Sequence, residues 1–257
     1  MDPQGFYSPF GPTTAERRHP SFQVGAPGDD CQWNGPIWPF SRLNPVYFQR
    51  FEKNLTRMLE IGIEADVILF RPYDNGRWGF DAMDAETIDR FVRYAVARLA
   101  AFRNVWWSLA NENSFMRRFT DSDWDRLFQL VQNKDPYGHL RSIHNAEVLY
   151  DYRKPWVNHV SLQYYNAVRE FGAAALVRDI CRKPVIHDEI NYEGNIDRRW
   201  GQLTAEEMVH RFWLACIGGT YATHGEAYQD PDAATWITAG GVLRGAALLA
   251  LRILRVD

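Results

Sequence analysis

Residues 103–115 read RNVWWSLANENSF, an apolar run that contains two tryptophans and ends at Asn111-Glu112-Asn113. An apolar run that ends on a carboxylate is typical of a buried strand that brings an acid to the edge of a core. Because side chains alternate along a strand, Ser108, Ala110 and Glu112 are expected on one face and the larger Trp107 on the other. The small residues fit a crowded interior, so the sequence predicts that Glu112 points inward from the carboxyl end of this strand.

The same arrangement recurs along the chain, because short apolar runs alternate with longer amphipathic segments about every 25–40 residues. The apolar runs predict strands at residues 65–70, 104–110, 140–144, 159–164, 184–188 and 219–224. The amphipathic segments predict helices at residues 44–62, 84–102, 122–133, 167–181, 204–219 and 241–254. A capping box from Thr204 to Glu207 is expected to start the fifth helix. Strands that alternate with helices in this way indicate βαβ units and a parallel sheet.

The predicted fold class is therefore α/β, of the (β/α)8 TIM-barrel type, which commonly takes about 250 residues. The chain has 257 residues, but only about six βα units can be recognised, so we expect an incomplete barrel whose first two strands are missing or unrecognisable. Residues 1–43 are rich in proline and glycine and are predicted to be irregular, whereas residues 44–257 are predicted to form the barrel domain. No glycine-rich phosphate-binding motif follows a predicted strand, so nucleotide-binding folds are not favoured.

The composition narrows the classes of function. Hydrophobic residues make up 46% of the chain, enough for a sizeable core, and the formal net charge is −3. No cluster of lysine and arginine resembles a nucleic-acid patch, and no apolar stretch approaches the roughly 18–20 residues that span a bilayer. We therefore expect neither a nucleic-acid partner nor membrane association.

The N-terminus has no basic start followed by an apolar stretch, so no secretory signal is predicted. Cys31, Cys181 and Cys216 are odd in number and far apart, which favours free thiols in a reducing compartment over a disulfide framework or a zinc site. These features predict a cytoplasmic protein without a metal or another cofactor. A secreted chain whose signal had been removed would show the same features.

Polar residues follow every predicted strand at its carboxyl end. They are Arg71 and Asp74, Asn111 and Glu112, His144 and Asn145, Gln163 and Tyr164, His187 to Glu189, and His224 and Glu226. Active sites of parallel barrels lie at this rim, so the polar residues predict a pocket there. By strand alternation, Glu112 and Glu189 are both expected to point inward, and His187 is expected on the same face as Glu189. Two carboxyl groups that face each other across a pocket are what glycoside hydrolysis requires.

Several segments also resemble a known group of proteins. NVWWSLANE (104–112) resembles the fourth-strand Asn-Glu motif of clan A glycoside hydrolases, and KPVIHDEINYEGN (183–195) resembles their seventh-strand nucleophile segment. RPYDNGRWGF (71–80), DPYGHLRSIHN (135–145) and THGEAY (223–228) bring the resemblance closer to a poorly characterised bacterial group of apiosidase-like barrels within that clan. The resemblance covers about residues 38–245 and follows the strand ends in order.

The resemblance implies a retaining glycoside hydrolase that cleaves an O-glycosyl bond of a plant or bacterial polysaccharide or oligosaccharide by double displacement. Glu112 would be the general acid/base and Glu189 the nucleophile, while Asn111 would hydrogen-bond the 2-hydroxyl of the sugar. Tyr164 or Tyr165 would orient Glu189. The substrate-binding positions would be Arg71, Asp74, Asn111, His144, Asn145, Gln163, Tyr164, Tyr165, His187, His224, Glu226 and Trp236, the last as a sugar platform.

The chain departs from the resemblance at its N-terminal side, where the related barrels carry two further strands and a helix. It therefore looks shortened, and either a homo-oligomer or repacking of residues 1–43 is expected to cover the exposed sheet edges. Two alternative functions stay open. One is a non-catalytic carbohydrate-binding or degenerate barrel fragment. The other is a metal-dependent barrel hydrolase with ligands among His144, His187, Asp188, His224 and Glu226.

Overall fold

The computed structural model describes residues 41–71, 83–163, 169–170, 172–229 and 243–252. Asp74, Tyr164, Tyr165 and Trp236, and nearly all of the segment predicted to be irregular, lie outside these residues. Within the described part, the residues up to His159 form one compact unit and those from Val160 onward form a second.

Helices and strands alternate in the first unit. They are α1 Pro45–Glu60, β1 Ala65–Phe70, α2 Ala85–Leu99, β2 Val105–Ala110, α3 Asp121–Lys134 and β3 Arg141–Ser142. The three strands form a parallel sheet in the order β1-β2-β3, with Phe70 opposite Ala110 and Ser108 opposite Ser142. The carboxyl ends of the strands therefore meet at one edge, and Glu112 follows β2 at that edge.

Side-chain caps fix where the helices of the first unit begin. Asn44 accepts backbone N–H groups at the start of α1, and Asp84 does the same for α2. Thr120 and Asp123 form a reciprocal capping box, which starts α3 one residue before the predicted position. The helix boundaries thus follow from local polar contacts as well as from the apolar period.

The core of the first unit lies where the sheet packs against α2 and α3. Val92 and Val96 of α2 and Leu127 of α3 are fully buried, as is Trp107 of β2. The indole Nε1 of Trp107 donates to Asp135 Oδ2 at 3.0 Å, at the end of α3. The Trp107 side of β2 therefore faces the helix layer.

The second unit again alternates strands and helices. They are β4 Val160–Leu162, α4 Ala173–Cys181, β5 Val185–His187, β6 Glu193–Gly194, α5 Ala205–Ile217, β7 Tyr221–Ala222, β8 Glu226–Ala227 and α6 Ala247–Leu251. The strands form two parallel sheets, in the orders β4-β5-β7 and β6-β8. Leu162 lies opposite His187, which lies opposite Ala222, so Glu189 emerges from the middle strand of the larger sheet.

The structure confirms the mixed α/β fold with parallel strands. The two longest strands lie within one residue of the predicted bounds, whereas the other four predicted strands are shorter than expected. The pair β6 and β8 was not predicted, because two-residue strands leave no apolar run in the sequence. The predicted barrel domain at residues 44–257 includes both units and stays a prediction.

The capping box predicted at the start of α5 forms only in part. The hydroxyl oxygen of Thr204 accepts the backbone N–H of Glu207 at 3.2 Å, as expected. The carboxylate of Glu207 instead accepts from Arg211 Nε at 3.0 Å, one helical turn further on. Among the described residues, no helix combines the length and the apolar composition that a membrane span requires.

Candidate active site

Glu112 lies in a strained turn directly after β2. Its φ and ψ angles are 46° and 51°, in the left-handed region that residues other than glycine rarely adopt. The residue is only 8% exposed, and a single 3-10 turn at Asn113–Phe115 follows it. The backbone N–H of Asn113 donates to the carbonyl of His144 at 2.9 Å and so ties the turn to the chain after β3. Strain that the surrounding structure holds in place at a buried carboxylate is typical of functional sites.

Asn111 and His144 are joined by a side-chain hydrogen bond beside this turn. Asn111 Oδ1 lies 2.7 Å from His144 Nδ1. His144 is almost fully buried, and burial lowers its pKa to about 4. Asn145 is buried as well, and its Nδ2 donates to the Ala146 carbonyl at 2.8 Å. The first unit therefore gathers four predicted site residues, including Glu112, at the carboxyl ends of β2 and β3.

Glu189 follows β5 and is held by two donors. Gln163, directly after β4, donates from Nε2 to Glu189 Oε2 at 2.8 Å, and the side chain of Tyr192 also donates to this carboxylate. Burial raises the pKa of Glu189 above its usual value, while the two hydrogen bonds act in the opposite direction because they stabilise the charged form. Gln163, predicted as a substrate contact, thus also fixes the orientation of Glu189.

Tyr192 was not predicted as a site residue. Its backbone is anchored by hydrogen bonds to Trp200 and Leu203 at 2.7 and 3.0 Å. Its ring packs against Gly225, where a Cβ atom would lie only 2.4 Å from a ring carbon, so this contact requires glycine. The sequence signal that could have identified Tyr192 is its position three residues after Glu189. Between these two residues, Asn191 has a φ of 71° and turns the chain. Asparagine tolerates this left-handed conformation better than most residues.

A second cluster of ionisable side chains lies around the start of α6. Glu193, His224 and Glu226 offer potential metal-ligand atoms within 4.8 Å of one another. The four carboxylate oxygens also accept the backbone N–H groups of residues 244–247 at 2.8–3.3 Å. The two carboxylates therefore hold the chain at the start of α6. Glu193 was missed, because its burial depends on a helix more than 50 residues further along the chain.

His187 lies on a different face from the one that the sequence predicted. It is 1% exposed, and neither ring nitrogen has a hydrogen-bond partner in the described part of the chain. The strand register places it on the same face as Ala222, which packs against the apolar cluster around Met208 and Ala215 of α5. His187 thus lies toward the helix layer, whereas strand alternation had suggested that it points into the pocket.

Of the remaining predicted site residues, one is exposed, two lie in the cluster at the start of α6 and four lie outside the described residues. Arg71 follows β1 and is exposed, and His224 and Glu226 belong to the cluster at the start of α6. Asp74, Tyr164, Tyr165 and Trp236 lie outside the described residues. Asp188, a ligand of the metal alternative, accepts a hydrogen bond from Ser161.

We expect the free energy of unfolding to fall steeply as the pH drops from about 6.5 to 4. Burial lowers the pKa of His144, His159 and His187 to about 4 each. In the unfolded chain each titrates near pH 6.5, so between these values the unfolded state binds more protons and is favoured. Each histidine contributes about 3 kcal/mol to the loss. Urea unfolding at a series of pH values would measure this loss of unfolding free energy.

A matched pair of variants isolates the histidine contribution. His187→Leu should flatten the pH dependence of the unfolding free energy, because it removes one buried titrating group and fills the same space in the core with an apolar side chain. His210→Gln serves as the control, because it also removes a histidine but at an exposed position of α5. Identical slopes for His187→Leu and the unchanged protein would contradict this prediction.

Comparison with known proteins identifies one family that matches the chain and several solved structures that resemble it. The sequence profile of the apiosidase-like catalytic domain matches residues 15–240. A candidate glycoside hydrolase from Bacteroides vulgatus ATCC 8482 is 46% identical over 85% of this chain and 43% of its own, with a TM-score of 0.81. A family 5 glycoside hydrolase from the same organism is 15% identical over 70% of this chain and 43% of its own, with a TM-score of 0.54.

A third structure, the catalytic domain of a Thermobifida fusca endoglucanase, is 14% identical over 79% of this chain and 71% of its own, with a TM-score of 0.50. No curated protein matches the chain. The two distant structures bear on the fold alone, and together with the closer one they confirm the TIM-barrel type that the sequence predicted. The chain spans less than half the length of either Bacteroides protein.

Proposed function

The chain belongs to the family of apiosidase-like catalytic domains, and on this premise we propose that it is a retaining glycoside hydrolase. Glu112 is the proposed general acid/base and Glu189 the proposed nucleophile. The observation that carries the proposal is that each carboxyl follows a parallel strand in a position fixed by its neighbours. Glu112 is buried in a left-handed turn, and Glu189 accepts hydrogen bonds from Gln163 and Tyr192.

The proposed reaction has two steps. In the first, a carboxylate oxygen of Glu189 attacks the anomeric carbon while Glu112 gives its proton to the glycosidic oxygen, which leaves with the aglycone. In the second, Glu112 takes a proton from water, the water oxygen attacks the same carbon, and the bond to Glu189 breaks. The donors on Glu189 support this role, because they stabilise the carboxylate against the effect of its burial.

The proposed substrate is a plant or bacterial polysaccharide or oligosaccharide. Asn111 is proposed to bind the 2-hydroxyl of the sugar, and the polar residues at the other strand ends, including Arg71 and His224, to contact more distant parts of the substrate. The family name places apiosides among the substrates to be tested first. We also propose that the chain forms a homo-oligomer, which light scattering would test by measuring its mass in solution.

Turnover of a panel of aryl glycosides, including an aryl apioside, tests this function. We expect release of the aryl group from at least one member, and NMR of the first sugar formed should show the same anomeric configuration as the substrate. A product of inverted configuration would show that the retaining assignment is wrong. Binding of glycans without any release would favour the non-catalytic alternative, and loss of activity on chelation would favour the metal-dependent one.

A further inference from the structure

We propose that His144 is a positioning residue that fixes the side-chain amide of Asn111, so that Asn111 offers its NH2 group and not its oxygen to the sugar. This inference rests on the proposed function, which makes Asn111 the partner of the 2-hydroxyl. It assigns His144, expected from the sequence to touch substrate, a role that is exerted through its neighbour.

The hydrogen bond between the two side chains determines which ring nitrogen of His144 carries hydrogen. The amide oxygen Oδ1 of Asn111 can only accept, and it lies 2.7 Å from His144 Nδ1. Nδ1 must therefore carry the hydrogen. Burial lowers the pKa of His144 to about 4, so the ring is neutral at ordinary pH. A neutral ring with its proton on Nδ1 leaves Nε2 as an acceptor.

The backbone of His144 is tied to the same turn on both sides of Glu112. Its N–H donates to the carbonyl of Ala110, and its own carbonyl accepts the N–H of Asn113, both at 2.9 Å. These bonds hold the chain after β3 against the end of β2 whatever side chain residue 144 carries. A substitution at this position therefore tests the contact of the ring with Asn111 while the backbone frame is retained.

The contact has a direct consequence for recognition. The two ends of an asparagine amide have nearly the same shape but opposite hydrogen-bonding character. With the ring donor at Oδ1, the end of Asn111 that carries two hydrogens is the one it can offer to a hydroxyl oxygen. Without that donor, this contact no longer favours one end of the amide over the other, and we expect the contact to the 2-hydroxyl to be weakened.

The test uses two variants of similar shape. In His144→Asn, the amide nitrogen replaces Nδ1 as a donor, whereas His144→Leu removes the donor. On an aryl glycoside with a 2-hydroxyl, we expect His144→Leu to lower kcat/KM about 30- to 100-fold and His144→Asn to stay within about 5-fold of the unchanged protein. On the 2-deoxy analogue the two variants should be alike, because the group that Asn111 contacts is gone.

Nitrogen-15 NMR of the unchanged protein reads the tautomer without any turnover. The ring signals that disappear in His144→Leu belong to His144 and should report hydrogen on Nδ1. Hydrogen on Nε2 would overturn the inference, and so would equal losses in the two variants on both substrates. A protein that hydrolyses no glycoside would instead count against the proposed function, and the tautomer would still decide the state of the His144–Asn111 pair.

Discussion

Replacing Glu189 with alanine is expected to lower kcat by about 10⁴-fold or more on every glycoside that the protein hydrolyses. Without the carboxylate, no group can form the bond to the anomeric carbon, and the first step cannot occur. The loss should be independent of the leaving group, because the missing bond is needed for good and poor leaving groups alike. Stopped and continuous assays with a strongly activated aryl glycoside would measure it.

Two controls separate the loss of chemistry from a loss of structure. Glu189→Gln keeps the size of the side chain beside Gln163 and should be as inactive as the alanine variant, with an unchanged melting temperature. Glu60→Gln, at an exposed position at the end of α1, should retain full activity. Retention of more than about 1% of the activity in both Glu189 variants would rule out Glu189 as the nucleophile.

The long strands and most helices could be predicted because their signals are local. Val105–Ala110 is a continuous apolar run, and Ala85–Leu99 carries an apolar stripe of helical period. The strands that follow are only two or three residues long, so their bounds depend on the pairing with neighbours. The order of strand and helix was therefore predictable, whereas the exact ends of the short strands were not.

The direction of the site side chains was harder to predict, because strand alternation stops where the site begins. Glu112 already lies outside β2, and its left-handed backbone breaks the alternation. After β5, the N–H groups of Asp188 and Glu189 both lie within 3.5 Å of the Leu162 carbonyl, a pattern that disrupts a regular ladder. The predicted face of His187 was wrong for the same reason. The prediction assumed that regular alternation continues from His187 to Glu189, so that both side chains share one face.

The supporting contacts could not be predicted from the sequence, because they join distant parts of the chain. Arg211 of α5 is buried and donates from Nη1 to the carbonyl of Ile190 at 2.6 Å, across 21 residues. Tyr192 depends on the absence of a side chain at Gly225. Neither contact has a local pattern, yet both hold the segment that carries Glu189. The candidate acids could therefore be predicted individually, but not the structure that positions them.

Replacing Glu112 with alanine is expected to have an effect that depends on the leaving group. A poor leaving group needs the proton that Glu112 supplies, so kcat/KM should fall about 10³- to 10⁴-fold. A dinitrophenolate leaves without a proton, so the first step should be nearly unaffected and the second, which needs a base, should become rate-limiting. Because alanine adopts the left-handed backbone no more readily than glutamate does, relief of strain should not offset these losses.

Added azide distinguishes this role from any structural one. A small anion that enters the space left by the Glu112 side chain can attack the glycosyl-enzyme without a base, so azide should restore turnover of the dinitrophenyl substrate by about 10- to 100-fold. The product should be a glycosyl azide with the anomeric configuration of the substrate. Azide should not rescue Glu189→Ala in this way, because that variant forms no glycosyl-enzyme for the anion to attack. Equal losses for good and poor leaving groups, with no azide product, would assign the acid/base role to a residue other than Glu112.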